Sequence, residues 1–387
     1  MKILTVLTYY RPHTSGLTIY AERLAKAFAK RGHQVTVMTT QYEPSLPREE
    51  TMDGVKIVRV PVIARVSKGV LAPTFGLVAT KLVATHDVVQ MHLPQFDAPG
   101  VALRARLLGK PAVLTYHCDI QLPAGLFNRV VNSVVDFQNN MAGMLSNHIV
   151  TYTQDYADNS PYLSRYKSKL TPILPPVEMP DPPPGAVQAF AEEHRIQERR
   201  PVIGMVTRFA SEKGVEILLG ALPEILKKYP KVQVLYAGQH QNVMGEQAYF
   251  DRLIPQIREY ERSGHWKFLG NLDPIDLAAV YPNLDVLTVP SLNSTEAFGL
   301  VQIEAMMNGV PSVPSALPGV RQPVLMHGMG RVARIGDPAN LAECILEVLA
   351  EPDKFRGDIG SIKTAYKPDS IAAEYEKLFE RLMKKGK

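Results

Sequence analysis

Two glutamates, Glu296 and Glu304, enclose seven residues in the segment 291–304, SLNSTEAFGLVQIE. The segment follows a β-branched run, and its polar loop leads into a helix that is predicted to begin near Gly299. The N-terminus of a helix favours nearby carboxylates, and its free amides can hold an anion. We therefore predict an anion-binding loop; the alternative is a capped helix with two exposed glutamates. The amides concerned are those of Phe298, Gly299 and Leu300.

Two cations, Arg208 and Lys213, stand at the turn that follows the apolar run 201–206. In a parallel sheet such a turn lies at the carboxyl edge, where α/β folds bind their ligands. An arginine fork and a lysine point charge that converge there would bind phosphate. The alternative is a fully exposed pair without a function.

A third candidate region follows two predicted strands in the front half. The loop 11–16 (RPHTSG) ends in Gly16, which suits backbone contact with a phosphate, but it lacks the G-x-G-x-x-G fingerprint of dinucleotide folds. His117 and Asp119 follow the run 112–115 and are predicted to point into one cleft. Metal ligation would need a second His/Cys cluster, so a sugar-hydroxyl contact or a histidine with partners inside its loop is the better interpretation.

Short β-branched runs alternate with amphipathic stretches, which predicts two doubly wound α/β domains. The predicted strands are 2–8, 34–39, 55–60, 87–91, 112–115, 148–152, 201–206, 232–237, 266–269, 285–289 and 310–313. The predicted helices are 19–31, 213–228, 246–261, 300–308, 337–350 and 370–383. Six prolines in 175–184 predict a stiff extended linker, and the cleft between the domains is the expected ligand site.

Composition restricts the class of protein further. The 387 residues are 45% hydrophobic and 21% charged, which excludes a fibrous or disordered chain. Two cysteines, Cys118 and Cys344, are too few for a disulfide framework and indicate a reducing compartment. No apolar run reaches the roughly 18–20 residues of a membrane span, and the start lacks a signal-peptide pattern, so we expect a cytoplasmic location.

Together these segments resemble the family-four retaining glycosyltransferases of the GT-B fold. The strongest match is P-S-x4-E-A-F-G-L-x3-E-A-M-x2-G-x-P, which runs from Pro290 to Pro311 and contains the family's E-x7-E pair. TRFASEKG matches the family's R-x4-K, and the segment 15–39 is similar to its first helix and second strand. Ser15-Gly16 departs from the Gly-Gly of many members.

The resemblance implies an acceptor domain at 1–174, a hinge at 175–184 and a donor domain at 185–370. It also implies that a C-terminal helix, 371–387, packs back on the first domain, and that the domains close for turnover.

Roles for individual residues follow from the same resemblance. Arg208 and Lys213 would hold the diphosphate of a nucleotide-sugar, Glu304 its ribose, and Glu296 the donor sugar. Three residues would act from the first domain, namely Gly16 at the diphosphate, His117 at the transferred sugar, and Asp119 at the sugar or acceptor. The other implied donor contacts are Gly270, Leu272, Ala297, Phe298, Gly299 and Leu300.

The implied reaction transfers a hexose from a UDP- or GDP-sugar to a hydroxyl of a glycan, glycolipid or small acceptor, with retention of configuration. Cations and amides would stabilise the departing diphosphate, so neither a metal nor another cofactor is expected. The alternatives are a nucleotide-sugar epimerase of the same fold and a non-catalytic nucleotide-sugar-binding subunit. The missing glycine fingerprint disfavours a nicotinamide oxidoreductase.

Charge and apolar patterning bear on the acceptor. Residues 1–175 carry 19 Lys and Arg against 11 Asp and Glu, whereas the remainder carries 24 against 27. In the segment 125–145, positions 127, 130, 131, 134 and 135 form one apolar helical stripe. We predict that this stripe borders the acceptor groove and touches an anionic membrane surface; the alternative is an ordinary buried helix face. No basic run or aromatic platform indicates a nucleic-acid partner.

Overall fold

The computed structural model describes residues 1–66, 69–120 and 126–385, with the side chains of 66, 126–130 and 385 left out. It divides into two compact units, Met1–Val177 with Ala365–Lys387, and Glu178–Thr364. Each unit is built around a largely parallel sheet accompanied by helices. The predicted class, two doubly wound α/β units, is therefore confirmed.

The first unit contains ten strands and five helices before the linker, within the described residues. The strands are β1 (Lys2–Val6), β2 (Gln34–Gln41), β3 (Glu49–Met52), β4 (Val55–Pro61), β5 (Ala64–Val66), β6 (Gly69–Leu71), β7 (Val88–Leu93), β8 (Ala112–Tyr116), β9 (His148–Thr151) and β10 (Leu170–Pro172). The helices are α1 (Gly16–Lys30), α2 (Phe75–Thr85), α3 (Ala98–Leu107), α4 (Leu126–Leu145) and α5 (Gln154–Asn159). Eight strands form one sheet in the order β10-β9-β8-β7-β1-β2-β4-β3, in which only β3 is antiparallel to its neighbour, while β5 and β6 pair separately.

The second unit contains five parallel strands in the order β13-β12-β11-β14-β15. They are β11 (Val202–Val206), β12 (Gln233–Ala237), β13 (Trp266–Gly270), β14 (Val286–Val289) and β15 (Ser312–Pro314). Its helices are α6 (Ala186–Glu193), α7 (Val215–Lys228), α8 (Gln247–Arg262), α9 (Pro274–Val280), α10 (Leu300–Met306), α11 (Gln322–His327) and α12 (Pro338–Ala350). Short 3-10 turns lie at Leu163–Lys169 in the first unit and at Ile196–Glu198, Ser211–Lys213, Tyr281–Asn283 and Pro352–Phe355 in the second.

Helix α1 forms where the apolar spacing predicts it, but it begins three residues earlier than expected. The hydroxyl of Ser15 caps the first turn by accepting the amide of Thr18 at 3.2 Å. Tyr20, Leu24 and Phe28 recur on one face of the helix, and each is at most 1% exposed. The helix ends at Lys30, before Gly32 at φ +84°.

The chain returns to the first unit at its C-terminus, through α13 (Ile359–Tyr366) and α14 (Pro368–Lys385). The hydroxyl of Tyr375 on α14 hydrogen-bonds to Tyr20 at 2.8 Å and to Thr115 at 2.9 Å inside the core. At the surface, Arg31 donates two hydrogen bonds to Glu376, at 2.6 and 2.8 Å. The predicted packing of the C-terminal helix on the first unit is thus confirmed.

The proline-rich segment 175–184 contains no helix or strand, as its composition predicts. The amide of Val177 donates to the carbonyl of Tyr366 at 2.9 Å, which ties the start of this segment to the returning chain. Within the described residues, no helix has both the length and the apolar content needed to cross a membrane.

Candidate active site

The second unit brings Lys213 and Glu296 into direct contact across 83 positions of sequence. The ammonium of Lys213 donates to Oε2 of Glu296 at 2.6 Å, and the two side chains are only 17% and 21% exposed. The other carboxylate oxygen accepts the amide of Gly299 at 3.0 Å. The turn after β11 and the loop after β14 therefore form one charged site at the carboxyl end of the parallel sheet.

Backbone contacts hold these two loops together. Gly214, which follows Lys213, has φ +68°, and a Cβ there would collide with the carbonyl oxygen of Pro290. Beside this contact, the amide of Leu292 in the glutamate loop donates to the carbonyl of Glu212 in the lysine turn at 2.9 Å. Glycine at this position thus lets the lysine turn approach the glutamate loop closely.

Arg208 lies at the same turn and is 41% exposed. One of its terminal nitrogens contacts the carboxylate of Glu212, which is 14% exposed. A guanidinium carries five N–H donors, so this contact uses only part of its capacity. The pair is not fully exposed, because Lys213 is only 17% exposed, although Arg208 remains 41% exposed.

Glu304 is buried in α10, with 7% of its surface exposed. Its Oε2 accepts the hydroxyl of Tyr281, itself fully buried, at 2.9 Å. The alternative of two exposed glutamates is therefore wrong, since Glu304 is buried and Glu296 is ion-paired. Tyr281 was not predicted, because a tyrosine that follows the apolar run LAAV resembles any core residue.

After Glu296, the last residues before α10 can present only their backbone to a ligand. The side chains of Ala297 and Phe298 are 4% and 1% exposed, and Gly299 has φ +77°. Gln302 fixes the loop by donating to the carbonyls of Phe298 at 2.9 Å and Val320 at 2.8 Å. Leu300 is the first residue of α10. Of the three amides predicted to face an anion, that of Gly299 is bound to Glu296.

Gly270 ends β13 and Leu272 follows it, at the carboxyl edge of the same sheet and two strands away from β11. Gly270 has φ +73°, and no protein atom lies within 4 Å of a Cβ built on it. Its carbonyl accepts the amide of Gly238 at 2.7 Å, while Leu272 packs against an apolar cluster of the second unit. The turn therefore has space beside its backbone.

His117 lies after β8 in the first unit, 6% exposed, and both its ring nitrogens have internal partners. Nε2 pairs with Nδ1 of His92 at 2.8 Å, and Nδ1 contacts the hydroxyl of Tyr152. Burial, and then the neighbouring His92, hold the pKa of His117 well below its usual range, so the ring is neutral. His92 and Tyr152 were not predicted, since each lies within or beside an apolar strand.

Asp119 accepts hydrogen bonds from three hydroxyls, so its carboxylate serves the loop that carries it. Its Oδ1 binds Tyr116 and Ser160, each at 2.8 Å, and its Oδ2 binds Tyr156 at 3.1 Å. The phenol of Tyr156 also accepts the amide of Asp119 at 2.6 Å. In the described part of the chain, no three His, Cys, Asp or Glu side chains are grouped as metal ligands.

Three aromatic rings that the sequence did not single out meet near the start of α1: Tyr9 and His13 lie in the loop before this helix, and Tyr42 follows β2. Tyr9 stacks on His13 with ring centroids 4.8 Å apart, and Tyr42 meets Tyr9 edge-on at 5.5 Å. Burial lowers the pKa of His13, which favours its neutral form. Gly16 lies at the end of this loop, and a Cβ there would meet no protein atom within 4 Å. An aromatic surface and an open backbone thus lie at the carboxyl edge of the first sheet.

The chain has two Rossmann-like units, and its C-terminal helix returns to the first of them. The second unit bears an R-x4-K cation pair beside an E-x7-E pair. Together these features define the class of GT-B glycosyltransferases. Family models agree: "Glycosyl transferases group 1" matches residues 187–365, and "Glycosyl transferase 4-like domain" matches 15–159. The chain belongs to family four of the GT-B glycosyltransferases.

Individual relatives span most of the chain. A phosphatidyl-myo-inositol mannosyltransferase of Mycolicibacterium smegmatis is 25% identical over 368 residues, with 92% of this chain and 86% of the relative covered. A glycogen synthase of Mycobacterium tuberculosis is 26% identical over 381 residues, with 91% and 87% covered. Among solved structures, Anabaena HepE in complex with UDP superposes with a TM-score of 0.77 at 19% identity, with 98% of this chain and 100% of that chain covered.

Proposed function

We propose that this protein is a retaining glycosyltransferase that moves a hexose from a nucleotide-diphospho-sugar to an acceptor hydroxyl without a metal. The observation that carries the proposal is the half-buried Lys213–Glu296 pair at the carboxyl edge of the second sheet. It supplies a cation for a diphosphate and a carboxylate for sugar hydroxyls within one site. Relatives named for mannosyl transfer and glycogen synthesis, and a structural neighbour solved with UDP, support a hexose on a nucleoside diphosphate.

On the donor side, Lys213 and Arg208 bind the diphosphate and stabilise the negative charge that develops as the glycosyl–phosphate bond breaks. Glu296 binds hydroxyls of the donor sugar. Glu304 binds the ribose, and its carboxylate is oriented by Tyr281, which acts as a positioning residue. The backbone of the loop into α10 and the open turn at Gly270 border the nucleotide-sugar.

The proposed chemistry needs no protein nucleophile. The acceptor oxygen attacks the anomeric carbon from the face that the diphosphate leaves, and a departing phosphate oxygen takes the acceptor's proton. His117 is neutral and buried, and both its ring nitrogens are engaged by His92 and Tyr152, so we place it beside the transferred sugar as a packing surface and not as a general acid. Asp119 positions the loop after β8 through its three hydroxyl partners, and Gly16 lets a phosphate approach the backbone.

A donor panel tests this proposal. The protein is incubated with UDP- and GDP-hexoses, with and without a chelator, and both nucleoside diphosphate and the configuration of transferred sugar are measured. We expect diphosphate release from at least one donor, unchanged by the chelator, with retained configuration. An inverted product or full loss of activity on chelation would contradict the proposal. Epimerised donor without diphosphate release would indicate the epimerase, and donor binding without turnover would indicate the binding subunit.

The acceptor side of the proposal rests on the first unit. Stacked rings such as Tyr9 and His13 suit the apolar faces of sugar or polyol rings, so we propose a glycan or lipid-linked acceptor there. In the same unit, the helices α3 and α4 pack on each other and expose large apolar side chains. These include Leu107, Val134 and Phe137, which are 76%, 43% and 63% exposed. In the predicted stripe, positions 127 and 130 lie outside the described side chains, and Val131 and Val135 are half-buried.

We propose that this apolar surface, together with Arg104 and Arg106 on α3, contacts anionic lipid at the inner face of a membrane. Replacing both Leu107 and Phe137 with serine should lower co-sedimentation with anionic vesicles at low salt about tenfold, because two exposed apolar anchors are lost. Leu325→Ser serves as the control, since Leu325 is 61% exposed in the second unit. Equal binding by both variants, or no vesicle binding by the wild type, would remove the membrane contact.

A further inference from the structure

The second unit contains a cavity of about 270 Å³ at the end of its sheet opposite the candidate active site. Gln233 is the first residue of β12, and Lys267 is the second of β13. Because all five strands run parallel, these positions lie at the amino edge, whereas Lys213 follows the carboxyl end of β11. His194 and Arg199, which lie between α6 and β11 in the chain, also line the cavity. This cavity is therefore distinct from the proposed donor site.

The cavity collects positive charge that nearby acids balance only in part. Lys267 lies within 4.0 Å of no carboxylate in the described chain, and Arg199 donates to the carbonyl of Ser263 at 3.0 Å. Arg195 and Glu198, which also line the cavity, neutralise each other through a contact of 2.5 Å. The remaining groups have an excess of cationic donors over anions, which is the pattern of an anion site.

The contact between Lys267 and His194 fixes the proton on the imidazole. Lys267 Nζ lies 2.9 Å from Nδ1 of His194, and an ammonium has only donors, so Nδ1 must accept. The neutral ring then carries its proton on Nε2, as a further donor. Burial, followed by the charge of Lys267, lowers the pKa of His194 and keeps this tautomer in place. The carboxylate of Glu193, which is 76% exposed, is 3.8 Å from the same Nδ1, so Lys267 remains the hydrogen-bond partner of this nitrogen.

Gln233 adds an unused acceptor to the same lining. Its residue is 6% exposed, and its Nε2 donates to the carbonyl of Gly264 at 3.4 Å. Its Oε1 is buried and has no hydrogen-bond partner among the described residues. A buried amide oxygen without a donor costs free energy, which a ligand hydroxyl would recover.

We propose that this cavity binds a small phosphate monoester that also carries hydroxyl groups, such as a phosphorylated sugar. The phosphate is bound by Lys267, Arg199 and Nε2 of His194, and a ligand hydroxyl donates to Oε1 of Gln233. Since the cavity lies at the opposite end of the sheet from Lys213, the ligand is a second molecule and not the donor. Its binding stabilises the folded second unit by mass action.

Calorimetric titration of the full chain in phosphate-free buffer tests this site with three probes: glucose 6-phosphate, inorganic phosphate and glucose. We expect glucose 6-phosphate to bind more tightly than phosphate, and glucose not to bind. Lys267→Gln should weaken both anions about tenfold or more, because a charged donor is lost. Gln233→Leu should remove only the advantage of the sugar phosphate. Lys231→Gln, at an exposed lysine just before β12, serves as the matched control.

The donor site also attracts phosphate, so the same titrations are repeated with Arg208→Ala. Retained binding in that variant, with loss in Lys267→Gln, supports the second site and does not depend on the proposed transferase activity. The reverse pattern, or no binding of either anion to the wild type, would overturn it. If Lys267→Gln proves unstable, His194→Gln gives the same decision, because it removes the Nε2 donor while the ammonium stays. An unchanged sugar-phosphate advantage in Gln233→Leu would overturn the hydroxyl contact.

Discussion

Replacing Lys213 with alanine should lower the rate of sugar transfer by roughly 10²–10³-fold, about 3–4 kcal/mol in transition-state free energy. The expectation rests on the placement of its ammonium, 17% exposed and 2.6 Å from Glu296, at the carboxyl end of the parallel sheet. A cation in that half-buried position strengthens its interaction with a departing diphosphate relative to the same charge in water. The measurement is steady-state kinetics of nucleoside diphosphate release at saturating donor, which isolates kcat from donor binding.

The chain offers a matched control in Lys227, on α7. Its ammonium also contacts a carboxylate at 2.6 Å, that of Glu224, but the lysine is 69% exposed. Lys227→Ala removes an ion pair of the same length from the surface, so it should leave turnover within about twofold of the wild type.

Lys213→Ala also leaves Glu296 without its cation, so loss of stability must be separated from loss of chemistry. Lys213→Ala with Glu296→Gln removes both charges and restores a neutral site. If activity returned in that double variant, the lysine would act by holding the loop and not by meeting the phosphate. Full turnover in Lys213→Ala alone would remove the lysine from the mechanism.

The sequence predicted best the helices whose apolar residues recur over several turns. The apolar spacing of 19–31 locates α1, and the missed residues are the first turn, which begins at the Ser15 cap. The hairpin of β5 and β6 was not predicted, because two three-residue strands are too short to show an alternation. The helix expected over 213–228 begins only at Val215, since Gly214 adopts φ +68° and separates it from a 3-10 turn.

In the site, the sequence predicted residue types but not their partners. Nothing in the spacing R-x4-K or E-x7-E indicates that Lys213 meets Glu296, because a contact across 83 positions depends on the order of β11 and β14 in the sheet. Tyr281 and His92 were not predicted for a related reason. Each stands in an apolar run, where a polar atom that meets a buried partner gives no periodic signal.

Gly214→Ala should lower the free energy of unfolding of the second unit by about 2–4 kcal/mol. Two costs add at this position. The backbone has φ +68°, which a side chain disfavours, and the new Cβ would collide with the carbonyl oxygen of Pro290. A backbone carbonyl within a loop cannot rotate away as the end of a flexible side chain can. Urea denaturation followed by circular dichroism measures the loss, and a fall in Tm of roughly 5–15 °C is expected for a unit of this size.

The same collision should also lower the rate of sugar transfer. Relief requires the turn of Lys213 and the loop of Pro290 to separate, and the contact between Glu212 and Leu292 at 2.9 Å then lengthens. We therefore expect Gly214→Ala to lower kcat below the wild-type value even at temperatures where the variant remains folded, because Lys213 no longer meets Glu296.

Gly328→Ala isolates the collision from the backbone strain. Gly328 also has φ +68° and lies in the second unit, but a Cβ there would meet no atom within 4 Å. The two variants share the substitution and the backbone conformation, so the difference between their unfolding free energies is the cost of the contact with Pro290. Gly328→Ala should lose only about 1–2 kcal/mol and keep its kcat. Equal losses in the two variants would show that close approach at Gly214 is not what holds the lysine turn against the glutamate loop.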